Sequence, residues 1–250
     1  MLFRSPLLIG CLIIPVVFWL RRSLAETEAF LCSTPAQRSR EVFALIGANW
    51  QPVAIGVMMS ILTTTTFYLI TVYTPTFGSQ ALHLAPVSSM VVTLFVGLSN
   101  FIWLPIGGAI SDRIGRRPLL FLVPCVALLT AYPAMTWLVA SPSFGKLLLV
   151  ELWYSVIFGT YNGAMIPLLA EIMPQKVRTT GFSLAFVTAT AIFGGFTPAV
   201  STYLIEMTGN RAAPALWLSL AAAISLTGAI LSRRLSTMPG LTPALAQAQA

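Results

Sequence analysis

The chain has 250 residues, 57% hydrophobic and 8% charged, against roughly a quarter charged in a typical soluble domain. Too few polar groups exist to cover a water-exposed globule, so the sequence is that of a membrane protein. Fourteen Lys and Arg against seven Asp and Glu give a net charge of +7, but the arginines punctuate apolar runs instead of clustering on a solvated face, which excludes a nucleic-acid binder.

Crossing the bilayer takes roughly twenty helical residues, and seven segments meet that need, near 5–20, 51–73, 89–110, 119–139, 147–172, 182–205 and 214–231. The first is short and contains Pro15. With one Arg before it, two after it and no clear small-residue cleavage site, it reads as a span and not as a signal peptide. Residues 21–49 form the longest hydrophilic connection and read as a cytoplasmic linker between two bundles. Within it Val42, Phe43, Leu45 and Ile46 lie at helical spacing; they either rest on the membrane surface or simply begin the next helix. Residues 50–231 then hold six spans in two groups of three, a plan shared by many secondary transporters, and 232–250 form a tail.

Short cytoplasmic loops retain Lys and Arg. One orientation puts Arg21, Arg22, Arg38, Arg40, Arg113, Arg116, Arg117, Lys176, Arg178, Arg233 and Arg234 inside and leaves only Arg4, Lys146 and Arg211 outside. The C-terminus is therefore expected in the cytoplasm. Seven spans then leave Met1 outside with no earlier span to deliver it, so the chain is expected to be the second part of something longer.

The charged elbow from Gly107 to Arg117 joins two of the spans. Asp112 is expected just past the C-terminal end of its helix, where the macrodipole disfavours a carboxylate by a few tenths to about 1 kcal/mol, so it needs a partner. Arg113, Arg116 and Arg117 suit that end; they serve topology alone or also gating. Glu171 repeats the problem, with Lys176 and Arg178 in the loop beyond it. Two carboxylates facing one basic cluster point to an ion-pair lattice that opens and closes.

Glu151 is expected about one turn inside the outer end of its span, on a stripe with Tyr154, Ser155, Phe158 and Asn162. An acid in a membrane helix is a functional candidate because its burial costs a few kcal/mol; the alternative is a side chain that snorkels to the surface. Gly159 and Gly163, four apart, permit close helix packing. Gly194, Gly195 and Pro198 interrupt another span as a gate or a kink. Thr63, Thr66 and Tyr73 share one side and offer hydroxyls to a pathway, unless the threonines bond back to their own helix. Asn100 is a further uncharged polar candidate.

Chemistry of other kinds finds no support. Cys11 and Cys125 lie in apolar spans, Cys32 in a polar stretch, without metal-ligand or CxxC spacing, and His83 is the only histidine. No metal, disulfide framework or cofactor is expected. Neither G-x-S-x-G, H-E-x-x-H nor a phosphate-cradling glycine loop is present, so an enzyme is not expected.

Gly108-x-x-x-Asp112-Arg113-x-Gly115-Arg116-Arg117 resembles the loop signature of the major facilitator superfamily, here between the eighth and ninth helices. The stretches from Phe67 to Phe77 and from Ala170 to Ala185 resemble the metabolite:proton symporter family. Those from Leu20 to Phe30, Ser99 to Gly108 and Ala191 to Ala199 are most similar to its bacterial citrate and tricarballylate members. The resemblance implies an all-α membrane protein: the carboxy-terminal six-helix bundle of a major facilitator fold plus one preceding helix, in the bacterial inner membrane, with an amino-terminal bundle missing in front. It implies symport of a small organic acid with protons by alternating access. Asp112, Arg113, Arg116 and Arg117 would form the inner gate, with Glu171 and Arg178 as partners. A tricarboxylate needs cations or many donors, and no Lys, Arg or His lies mid-membrane here, so the cations are expected from the missing half. The alternatives are another substrate of the family (proline/betaine, shikimate, 2-oxoglutarate), or a non-transporting remnant or assembly partner for a separate amino-terminal half.

Overall fold

The computed structural model describes residues 50–173 and 178–236, with the isolated positions 15 and 47. By internal contacts the chain divides into Met1–Phe43 and Ala44–Ala250; the fold below is that of the second unit. The predicted first span, the linker with its 42–46 stretch, Lys176 and the tail beyond Ser236 lie outside the described residues.

Six helices make up the described residues: α1 Trp50–Ala81, α2 Pro86–Ile114, α3 Arg116–Ala140, α4 Phe144–Ile172, α5 Arg178–Thr208 and α6 Pro214–Ser236. Helices are what apolar runs of this length must form, because lipid offers no partner to an unpaired backbone group. Five of them, α1, α2, α3, α5 and α6, are long and apolar enough to cross a membrane. α4 has 29 residues, as many as α2, and its polar residues Glu151, Ser155 and Asn162 are buried among its neighbours.

The helices outrun the predicted spans. α1 continues to Ala81, past 73, by widening into π turns at Tyr68–Tyr73 and Phe77–Ala81 around Pro75. There the Thr74 hydroxyl donates to the Ile70 carbonyl at 2.9 Å. α5 likewise passes Gly194, Gly195 and Pro198 without breaking, through a π turn at Thr190–Gly194. The two wide regions meet: a Cβ on Gly194 would lie 2.9 Å from the Tyr68 ring.

Contacts along the helices fix their directions. α1 and α4 run antiparallel, with Gly56 against Leu169, Ser60 Oγ against Met165 Sδ and the Phe67 ring against Phe158. α2 and α4 run parallel and come closest. Cβ atoms added at Gly107, Gly159 and Gly163 would lie 2.5 Å from the Gly159 carbonyl oxygen, 2.6 Å from Trp103 Cβ and 2.4 Å from the Gly108 nitrogen. α3 joins α4 where the Tyr154 hydroxyl donates to the Ala131 carbonyl at 2.8 Å.

α6 holds α1 through the backbone. The Ser225 hydroxyl accepts from the Leu62 N–H at 2.9 Å and donates to the Met58 carbonyl at 2.8 Å. Beside it the Tyr161 hydroxyl of α4 donates to the Met59 carbonyl at 2.9 Å. Side chains inserted in this way bend a helix. Because Ser225 is fully buried, Ser225→Ala is expected to destabilise the bundle by about 1–3 kcal/mol, the cost of stranding a buried backbone group. A thermal midpoint in detergent equal to that of the unaltered chain would show that α1 does not depend on this contact.

Candidate functional site

Charge gathers at one end of the bundle, where α2 and α4 finish and α3 begins. The elbow is a single residue, Gly115, at φ 98 and ψ 148, a conformation that glycine adopts without the Cβ penalty. Asp112 lies within the last turn of α2, not beyond it, and Arg116 opens α3. This alters the expected electrostatics. Arg113 suits the negative end of α2, but Arg116 and Arg117 stand at the positive end of α3, where a cation is disfavoured.

Arg116 and the two carboxylates therefore share one need. Arg116 Nη1 pairs with Glu171 Oε1 of α4, and its Nη2 lies 4.0 Å from Asp112 Oδ1. The guanidinium is 29% exposed, Asp112 71% and Glu171 49%. Such a lattice stands in water and adds little to stability, yet it ties the ends of three helices together. A pocket of about 500 Å³ opens beside it, lined by Ser111, Arg116, Arg117, Leu168 and the two carboxylates. Arg113 and Arg178 are exposed, Arg178 in the first turn of α5. The cation that Glu171 takes is Arg116.

Away from that end, the polar stripe of α4 is packed inside the bundle. The Ser155 hydroxyl donates toward Asn100 Oδ1 at 2.6 Å and Ser99 Oγ at 2.8 Å of α2. Thr66 bonds back to the Leu62 carbonyl at 2.6 Å. The register of α1 on α4 sets Thr63 opposite Asn162, and Thr63 Oγ1 and Asn162 Oδ1 are both buried without a hydrogen-bond partner among the described residues. Two orphan polar atoms at one level are unusual in a folded chain. Tyr73, 3% exposed, reaches Thr202 of α5.

Glu151 lies deeper than its sequence position suggested. α4 begins at Phe144 and not at 147, which sets the acid two turns in, 2% exposed and beyond snorkelling reach. Thr74, the residue it meets on α1, was not singled out in the sequence, nor were Tyr161 and Ser225, and Gly107 was named only as the start of the elbow. A hydroxyl in an apolar run carries no pattern that names its partner. The doublet Gly107-Gly108 inside the elbow signature was the one available signal.

Comparison with known proteins agrees with this architecture. The family model described as sugar (and other) transporter matches residues 22–232. The citrate-proton symporter of Salmonella typhi is 55% identical over 235 residues, covering 94% of this chain and 54% of that protein. The citrate-proton symporter of Klebsiella pneumoniae is 55% identical over 224 residues, 90% of this chain and 50% of that one. The proline/betaine transporter of Escherichia coli (strain K12) is 25% identical over 263 residues, 99% of this chain and 52% of that one. The chain thus spans about half the length of these curated relatives. No solved structure matches it. With its apolar helices and this match, the chain is a multi-pass membrane protein of the sugar (and other) transporter family, a family of major facilitator transporters and not of enzymes.

Proposed function

We propose that this chain provides the carboxy-terminal bundle of a proton-coupled symporter for citrate or a similar tricarboxylate. It sits in a bacterial inner membrane, seven spans in all, with the charged end of the bundle in the cytoplasm. The observation that carries the reading is the 55% identity to two citrate-proton symporters over nearly the whole chain. The orientation rests on the excess of Arg at the elbow end. In this reading Asp112, Arg116 and Glu171 are the inner gate. They hold α2, α3 and α4 together while that side is closed and exchange partners with water as it opens, a small-energy step suited to half-exposed ion pairs. Arg113, Arg117 and Arg178 supply positive charge around it. Thr63 and Asn162, whose Oγ1 and Oδ1 have no hydrogen-bond partner among the described residues, are the groups of this bundle that meet the substrate pathway.

The test puts residues 22–232 of this chain in place of the aligned segment of the Salmonella typhi protein and measures labelled citrate uptake in cells lacking other citrate carriers. Uptake that rises as external pH falls is the expected result. A hybrid present in the membrane at normal amount but inert toward citrate contradicts the substrate assignment.

A further inference from the structure

We propose that Glu151 is the proton-carrying group of this bundle, taking up one proton on one side of the membrane and releasing it on the other; the inference rests on the symport reading above. Its carboxylate is 2% exposed, and Oε2 has no hydrogen-bond partner among the described residues. It lies twenty residues before Glu171 on α4, roughly 30 Å away at 1.5 Å per residue, so it is no member of the ion-pair lattice.

The group that α1 turns toward it is Thr74, in the widened part of that helix. The Thr74 hydroxyl is directed at the Ile70 carbonyl at 2.9 Å and at the Leu69 carbonyl at 3.2 Å. A hydroxyl has one hydrogen and two lone pairs. With its hydrogen on Ile70 the hydroxyl offers the acid only its lone pairs; rotated toward Glu151 it would donate to the carboxylate instead. When the O–H bond of Glu151 breaks and the proton leaves, the Thr74 hydrogen turns to the carboxylate and the Ile70 carbonyl loses that donor. Loading the acid thereby makes or breaks a bond at the end of the first π turn of α1.

No neighbouring helix brings a charge to this level. Among the described residues α1 has no charged side chain, α2 has none before Asp112, and α3 has only Arg116 and Arg117 at its start. α6 has Arg233 and Arg234 at its far end, and α5 has Arg178 and an exposed Glu206 at its two ends. The nearby titratable groups are engaged: the Tyr154 hydroxyl on the Ala131 carbonyl, Tyr73 with Thr202, and Lys146 over the Trp137 ring at 4.7 Å. A lone acid held by one hydroxyl gains a charge only at the cost of burying it, which is what makes a single proton matter to the conformation.

Two measurements decide it. In the full chain reconstituted in bilayers, infrared spectra taken across a pH titration should show a buried-carboxyl stretch, at higher frequency than that of the solvated carboxylic acids, which vanishes at high pH and is absent from Glu151→Gln at every pH. The same band surviving in Glu151→Gln overturns the proposal. In the Salmonella hybrid, Glu151→Gln should lose accumulation driven by a pH gradient while keeping citrate exchange, and Glu151→Asp should keep accumulation with a shifted pH profile. Accumulation that survives in Glu151→Gln also overturns it. An unmutated hybrid without citrate uptake, by contrast, defeats the symport reading and leaves the infrared result to judge Glu151 as a proton site.

Discussion

Replacing Gly163 with leucine is expected to eliminate most of the folded bundle, while the same change at Gly97 leaves it intact. At Gly163 an added Cβ would stand 2.4 Å from the Gly108 nitrogen and 2.5 Å from the Gly107 carbonyl carbon, both backbone atoms that no rotamer change can move. At Gly97, on the same helix as Gly107, nothing lies within 4 Å. Overpacking a tight site costs about 1–3 kcal/mol and more where it forces helices apart. In lipid no hydrophobic force drives the helices back together, because close packing is itself the attraction. The α2–α4 seam is the longest close contact in the bundle, so its loss also separates Ser155 from Ser99 and Asn100. The monodisperse fraction after detergent extraction reads the effect, with Gly163→Ala expected between the two extremes. Equal yields for the Gly163 and Gly97 variants would mean that the seam does not hold the bundle.

The second large effect is on transport. Arg116→Glu removes a cation that both Asp112 and Glu171 approach and puts a third carboxylate between them. In the hybrid with the Salmonella typhi protein, citrate uptake is expected to fall by about tenfold or more, equivalent to about 1.4 kcal/mol on the limiting step. Combining it with Glu171→Arg restores opposite charges across the same contact and should recover part of the rate. Thermal stability should move by no more than about 1 kcal/mol in the Glu171→Arg, Arg116→Glu pair, since the native pair is itself half in water. A large stability loss with unchanged uptake in the single variant would make the lattice a structural clamp and not a gate.

Much of this was legible in the sequence, and the reason is the membrane. Apolar runs separated by arginines can only become helices, so their order and approximate bounds followed from hydropathy, as did the charged elbow. The glycine pair 159/163 announced a close contact without naming its partner. What stayed hidden depends on which residue faces which across helices. The exchange of roles at the elbow is one case: α3 begins at Arg116, so a cation thought to favour a helix C-terminus sits at an N-terminus and is held by two acids. The depth of Glu151 is another, because α4 starts three residues earlier than hydropathy suggests and the acid is packed inside the bundle. α1 and α5 pass their Pro and Gly residues by widening into π turns, which composition alone reads as breaks.

The most direct test of the account measures protons and citrate together. Proteoliposomes carrying the hybrid and an entrapped pH dye, given external citrate without any imposed pH gradient, should acidify inside in proportion to the citrate taken up. With Glu151→Gln the citrate should still exchange while the dye stays silent. Citrate entry with no accompanying proton movement in the unmutated hybrid would contradict the claim that this bundle belongs to a proton-coupled carrier.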